Sequence, residues 1–202
     1  MISRMPDSKA SSGSDFIVHG EAAATFKGAP SFTLKHRLTR AIWLLVWKVF
    51  ASWTPPPLHR WRIFLVNLFG GDVHPGCSIY GSAKIWFPRN LTMDYGATLG
   101  PRVDCYSMAP IHLGAYCVVS QGAHLCTGSH RIHDESFQIY AREITIGANA
   151  WIAAEAFVGP GVSVGEGAVL GARAVTFNDL ESWTVYLGNP AQPIKKRARF
   201  QR

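Results

Sequence analysis

The stretch "ITIGANAWIAAEAFVGPGVSVGEGAVLGARAV" (residues 144–175) returns to an aliphatic side chain at every sixth position, at Ile146, Ile152, Val158, Val164 and Leu170. A small residue follows each one: Gly147, Ala153, Gly159, Gly165 and Gly171. Four positions into each unit stands a second residue of inward size, Ala150, Ala156, Val162, Ala168 and Ala174. An α-helix repeats its apolar residues every 3.6 positions and a lone strand every second one, so a period of six belongs to neither. It marks a parallel β-helix, in which three hexads close one triangular coil.

Working backward, the same phase is found in weaker form. Hexads begin at Val73, Ile79 and Ile85, then at Met93, Leu99 and Cys105, then at Leu113, Val119 and Leu125. Each triplet is displaced from the last by two extra residues, so the additions recur at a single corner. Coils stack about 4.8 Å apart as parallel strands, which predicts one interior ladder of Ile79, Leu99 and Val119. Arg89 falls in an inward slot of the first coil and weakens the match there.

The third coil ends at His130, and "RIHDESFQIYAREIT" (131–145) intrudes before the repeat resumes. A solenoid takes insertions at its corners, where the chain is already exposed, and such insertions carry function. This one is rich in titratable groups, and "LCTGSHRIHD" (125–134) is the candidate site.

Ahead of the repeat, residues 1–14 are polar and Ser-rich and read as disordered, and 15–35 as irregular or extended. "HRLTRAIWLLVWKVFASW" (36–53) reads as a helix stopped by Pro55, Pro56 and Pro57. "LHRWRIFLVNLFGG" (58–71) closes on Gly70 and Gly71, which suit a C-cap. The run 41–53 contains Lys48 and is shorter than the roughly 20 apolar residues a span needs. Two readings of the pair stay open. One packs it against the β-helix, and the other lays Trp43, Trp47 and Trp53 into a membrane interface with Arg37, Arg40 and Lys48 outside. The expected organisation is thus an arm (1–35), a helical segment (36–71), the β-helix (72–180) with its loop at 131–145, and a basic C-terminal extension (181–202) forming a tail or short helix.

The 202 residues carry a formal charge of +7. Much of the excess lies in "KKRARFQR" (195–202) and between His36 and Arg62, with no stacking motif for bases, so nucleic acid is not the expected partner. Small anionic ligands or a membrane surface fit better. Cys77, Cys105, Cys117 and Cys126 lack the spacing of a zinc site or a disulfide scaffold and read as reduced core residues. The first thirty residues hold no sustained apolar stretch, so the expected compartment is the cytoplasm.

The hexads, "TGSH" before a loop, and "LGNPAQPIKKR" (187–197) together resemble the hexapeptide-repeat acetyltransferases, closest to the sugar O-acetyltransferases. The upstream "LHRWRIFLVNLFGG" and "LCTGSH" resemble the colanic-acid and exopolysaccharide biosynthesis branch. The resemblance implies a left-handed β-helix, contrary to the usual crossover preference. It also implies a homotrimer with sites between subunits, acetyl-CoA as donor with no metal, and a saccharide or lipid-linked glycan as acceptor. By the same resemblance His130 is the catalytic base, and Asp104, in "RVDCY", stands where relatives carry an asparagine near the acceptor. Trp151 lines the acyl-donor site, and Ala154 and Ala172 offer backbone groups to the pantetheine arm. Asn178 replaces a common lysine, and Lys195 lies near the cofactor phosphates.

The chemistry agrees with that assignment. Moving an acetyl group to a hydroxyl needs a base that is largely neutral at working pH, which suits histidine. Asp134, Glu135 or a backbone carbonyl could hold its other ring nitrogen, and backbone N–H groups or Ser129 could stabilise the oxyanion. Two further classes remain open: a metalloenzyme like the γ-class carbonic anhydrases using His124, His130 and His133, and a catalytically silent trimeric scaffold. Within the enzyme class, an antibiotic or an amine is an alternative acceptor.

Overall fold

The computed structural model describes residues 32–200 apart from 136, together with the two-residue strand Phe16–Ile17. The segment 1–14, and most of 15–35, lies outside the described residues.

Three parallel ladders form a solenoid, each along one face of the coil. The first face stacks Val73, Met93, Leu113, Ile146 and Val164, with a final bridge to Leu180. The second stacks Ile79, Leu99, Val119, Ile152, Leu170 and Tyr186. The third stacks Ile85, Cys105, Leu125, Val158 and Thr176. No member of these ladders is more than 7% exposed. The second set of inward positions is buried as well, from Cys77 and Ala83 up to Ala168 and Ala174. Strands of two or three residues suffice because each buries one large side chain, and the small residue after it lets the next coil's backbone pass close.

The two extra residues of the early coils sit where the third face turns into the first. In the first coil they form the 3-10 turn Pro88–Asn90. This turn puts Arg89 outside and Leu91 inside, correcting the inward position expected for Arg89. The long insertion after Leu125 leaves from this same corner.

A solenoid's first coil exposes an edge of unpaired carbonyls that must be satisfied or covered. Here two helices do both. Helix α1 (Leu34–Phe50) begins at Thr33, whose hydroxyl accepts the His36 N–H at 3.3 Å. Trp43 and Trp47 of α1 donate their indole N–H groups to the carbonyls of Ile85 (2.6 Å) and Ala83 (3.0 Å). From helix α2 (His59–Leu68), Arg62 donates to the Ile79 carbonyl at 2.6 Å and Asn67 pairs with both backbone groups of Val73. Helix α2 ends in a Schellman motif: Gly71 N–H reaches Val66 O and Gly70 N–H reaches Asn67 O, with Gly70 at φ +89. The packed arrangement therefore holds for the inner side of the pair, and burial of Trp43 and Trp47 removes them from any membrane interface. Among the described residues no helix is long and apolar enough to cross a membrane.

The C-terminal segment is neither a helix nor a loose tail. Strand Thr184–Leu187 continues the second face beyond residue 180, where the β-helix was expected to stop, and Gln192–Lys196 pairs back on it antiparallel. Arg197 fastens the return by donating to the carbonyls of Asn149 and Gly167, each at 3.0 Å.

Candidate active site

The insertion is a β-hairpin. Strands Gly128–His130 and Ile139–Ala141 pair antiparallel, and Phe16–Ile17 adds a third strand beyond Ile139–Ala141. Its root is pinned by Thr127, a fully buried polar residue. The Thr127 hydroxyl donates to Tyr106 O at 2.7 Å and accepts the Ala109 N–H at 3.0 Å. Gly128 presses so closely on Met108 and Tyr106 that a Cβ there would collide with the Met108 sulfur. Gly128→Val, with its larger branched side chain, should push Met108 aside and press on the Tyr106 ring, displacing the hairpin while sparing the coils. Acetyl transfer should fall at least about tenfold, since displacements near 1 Å cost roughly that or more, with little change in melting temperature; steady-state rates and thermal unfolding check both halves.

At the hairpin end the His130 ring stacks on Phe137, centroids 4.3 Å apart and planes 15° from parallel. Its Nδ1 lies 3.0 Å from the Phe137 carbonyl oxygen. A carbonyl can only accept, so Nδ1 carries a proton, and in the neutral ring the lone pair is therefore on Nε2. Of the three orienting groups left open by the sequence, the backbone carbonyl fills the place. The carbonyl is aimed by an uncommon backbone, with Phe137 at φ +50 and its N–H held by Asp134 O at 2.8 Å. His130 opens into a hollow of about 420 Å³ lined also by Arg131, Ile132, His133 and Asp134. Strand alternation puts Ser129 on the other side of the hairpin from His130, so within one chain Ser129 does not share this hollow.

The other sequence-selected residues do not gather around His130. Asp104 lies on the outer side of the third face, in register between Lys84 and His124, at the end of its strand nearer the second face. Trp151 stands on the outer side of the second face, its indole donating to Ser120 Oγ at 2.9 Å. Ala154 and Ala172 occupy successive turns of the corner joining the second face to the third, with Arg173 N–H on the Ala154 carbonyl at 2.9 Å. The groove expected from residues 153, 154, 171 and 172 is narrower than that set implies. Ala153 is buried and Gly171 lies under Leu187, so only Ala154 and Ala172 are open. Lys195 lies at the edge of the second face, paired with Val185. Asn178 is on the His130 corner, its N–H on Thr176 Oγ1 at 3.2 Å. Asn178 apart, the donor positions and the histidine thus lie on different parts of one chain.

The outer sides of the faces differ in character. The third carries a run of rings in contact, Trp86 to Tyr106 to His124 to Phe157 to Phe177, at centroid separations of 5.5, 6.4, 5.2 and 5.5 Å. The first carries Thr92, His112, Thr145 and Ser163 along its central strands.

All four cysteines are free. Burial pushes the thiols of Cys105 and Cys117 up to about 12. It also raises that of Cys126, whose Sγ lies 3.3 Å from Gly128 O. A thiol so shifted is a poor nucleophile, which fits the core reading of Cys105 and Cys117; Cys126, also expected in the core, instead lies half-buried on the outer side of the third face, because Leu125 takes the inward position of that strand. His124, with its ring edge-on to Phe157, lies on the third face away from the stacked His130, and among the described residues no three His, Cys, Asp or Glu side chains are arranged to hold a metal. Thr127 and Gly128 fall inside the candidate stretch 125–134, where neither is given a role by the sequence, and Phe137, in the insertion, is not singled out there.

Residues 143–178 match the family described as bacterial transferase hexapeptide (six repeats). The chain is 41% identical over 160 residues to WcaF of Escherichia coli K12, covering 79% of this chain and 88% of that protein, whose name places it in colanic acid biosynthesis as an acetyltransferase. It is 25% identical over 148 residues to the galactoside O-acetyltransferase of E. coli K12, across 72% of this chain and 61% of that one. In fold it resembles a maltose O-acetyltransferase from Clostridium difficile 630, with a TM-score of 0.74 at 20% identity over 93% of this chain and 95% of that one. A hexapeptide-repeat acetyltransferase from Vibrio cholerae, solved with acetyl coenzyme A, gives a TM-score of 0.69 at 19% identity, over 82% and 88% of the two chains. On the WcaF match over most of both chains this protein belongs to the hexapeptide-repeat acetyltransferase family.

Proposed function

We propose that this acetyltransferase moves the acetyl group of acetyl-CoA to a hydroxyl of a saccharide, free or lipid-linked, during synthesis of an exopolysaccharide or cell-surface glycan. The observation that carries the proposal is the His130 Nδ1 contact with the Phe137 carbonyl, because it puts the lone pair of the neutral ring on Nε2 of a residue that lines an open hollow. In this reading Nε2 takes the proton of the acceptor hydroxyl as its oxygen bonds to the thioester carbonyl carbon. The carbon–sulfur bond then breaks, and the departing sulfur takes the proton back from Nε2. An O-acetyl ester and coenzyme A leave, and the histidine returns to its starting tautomer.

The open backbone at Ala154 and Ala172, with Trp151 beside it and Lys195 at the strand edge, fits an extended thiol carrier ending in phosphates. These residues sit on one corner and His130 on another, so a complete site calls for more than one copy. A trimer whose aromatic third faces turn toward a common axis supplies it. That packing sets the donor corner of each subunit against the histidine corner of the next, buries the ring ladder, and leaves the polar first face in water. Asp104, on the inward-turned face, then lies toward the neighbour's acceptor site. We place the enzyme in the cytoplasm with its 36–70 segment against the inner face of the membrane.

Release of free thiol from acetyl-CoA over a panel of oligosaccharides, amino sugars and chloramphenicol tests the reaction class. Turnover on a saccharide hydroxyl is expected, and turnover confined to amines or to the antibiotic would overturn the acceptor. Ala172→Trp, which fills the open corner, should raise the KM for acetyl-CoA at least about tenfold, the effect of losing roughly 1.4 kcal/mol of binding. Light scattering on the purified protein should give three chains per particle.

A further inference from the structure

The helical cap is apolar on the wrong side. Trp43 and Trp47 already fill its inner face, yet α1 presents a second stripe of Leu34, Leu38, Ile42, Leu45 and Val49 directly opposite them. The spacing of i, i+4, i+8, i+11 and i+15 makes this one continuous helical face, and Leu45 at its middle is 63% exposed. In α2, Trp61, Phe64 and Leu68 repeat the pattern at i, i+3 and i+7, with Trp61 stacked on Phe64 at 5.7 Å. Trp53, between the helices, is 73% exposed. Soluble monomers seldom leave a contiguous apolar surface of this kind uncovered.

Charge identifies what covers it. From residue 33 to residue 71 there is no Asp or Glu, while Lys35, Arg37, Arg40, Lys48, Arg60 and Arg62 all occur. Arg62 is buried in the cap and Arg40 lies over the Trp86 ring at 4.5 Å. The remaining four cations are exposed and border the two stripes. Tryptophans and leucines edged by cations, with no anion among them, match the layered chemistry of a bilayer surface: acyl chains below, phosphates around. A protein partner would need acidic groups set at four particular points; an anionic bilayer supplies them anywhere.

We propose that the outer face of the α1–α2 cap is a docking surface for an anionic lipid bilayer. This deepens the membrane contact stated above by naming the face and the lipid chemistry, and it rests on that reading. The carbonyls bound by Trp43, Trp47 and Arg62 belong to the first coil and point down the solenoid, so the cap closes its lower end. Docking there stands the solenoid on the membrane. In the trimer, three caps face the same way and bind as one platform. The His130 hairpin leaves from the third coil, about 10 Å above the first, with a helix of roughly 10 Å diameter beneath, and so clears the lipid.

The full chain is sedimented with vesicles of phosphatidylcholine alone and of phosphatidylcholine containing phosphatidylglycerol. The wild type should pellet with the anionic vesicles, weakly with the neutral ones, and less as salt rises. Leu38→Asp with Leu45→Asp, both on the exposed stripe, should cut the bound fraction at least about tenfold, and Arg37→Glu with Lys48→Glu should abolish the preference for anionic lipid. Both variants should keep acetyl transfer to a soluble acceptor. Wild-type protein that stays in the supernatant with anionic vesicles overturns the proposal, and so does equal pelleting of the double aspartate variant. A fall in particle mass for that variant would assign the face to contact between copies and also overturn it. Failure of the wild type to dock while its acetyl transfer is intact sinks only the docking surface; absence of transfer in the wild type sinks the reaction.

Discussion

His130→Ala should lower acetyl transfer by about 10²- to 10⁴-fold, the usual contribution of a positioned general base, while the affinity for acetyl-CoA measured by titration stays within about twofold. The separation of these two numbers is the informative part. His130 sits at a half-buried hairpin position and its ring touches Phe137 and the hollow, whereas Trp151, Ala154, Ala172 and Lys195 lie elsewhere on the same chain. Removing the imidazole therefore takes away the base and one stacked pair without touching the core, and a stability change of no more than about 1 kcal/mol is expected from the lost ring contact. If transfer survives at wild-type rate, another group is the base. If donor affinity collapses along with the rate, the histidine holds the hairpin in shape, and its place as base is lost.

Arg62→Met should be strongly damaging to stability, at roughly 3–5 kcal/mol, since several buried acceptors lose their donor at about 1–3 kcal/mol each and water can replace only part of them. The Arg62 guanidinium is fully buried. It donates to Ile79 O at 2.6 Å, to Thr54 O at 3.2 Å and Thr54 Oγ1 at 2.7 Å, to Pro55 O at 3.0 Å and to Pro56 O at 2.6 Å. One side chain thus ties the proline turn between the helices to the lower edge of the solenoid. Methionine fills much of the same volume but donates nothing, so several carbonyls would be left unpaired. For a chain of this size each kcal/mol moves the melting temperature by about 2–4 °C, so thermal unfolding should show a drop on the order of 10 °C. A drop of only a degree or two would mean that water replaces the guanidinium without penalty.

The parts of the fold that could be read from sequence are those where one local rule recurs. Every aliphatic position of the six-residue period between Ile146 and Leu170 faces inward, and so do the weaker early hexads at Cys105 and Leu125. Failures fell where the period is interrupted. Arg89 was placed inside because the count ignored the 3-10 turn that absorbs two extra residues. The C-terminal extension was expected to be a tail or helix, but the valine, tyrosine and leucine of Thr184–Leu187 lie on the next rung of the second ladder. No local pattern announces that rung, since it holds only four residues before the chain turns back.

For the site, the sequence supplied the corner insertion, because a polar stretch in a regular repeat stands out against its background, and the resemblance to the acetyltransferases singled out His130 beside it; that the insertion is a hairpin came from the structure. The sequence could not supply the Phe137 carbonyl: a backbone acceptor has no residue type to recognise, and its aim depends on a left-handed φ seven positions further on. Nor could it tell that the helical pair is apolar on both sides, because a hydrophobic stretch has the same composition whether one face or two are covered. Composition and periodicity alone determined the solenoid and its corner insertion, since each is encoded by the spacing of neighbours along the chain. Tertiary structure alone decided the tautomer of His130, the separation of the donor corner from the histidine corner, and the bare outer face of the cap. Each of these depends on which distant backbone a side chain meets, and that is fixed only when the coils have stacked.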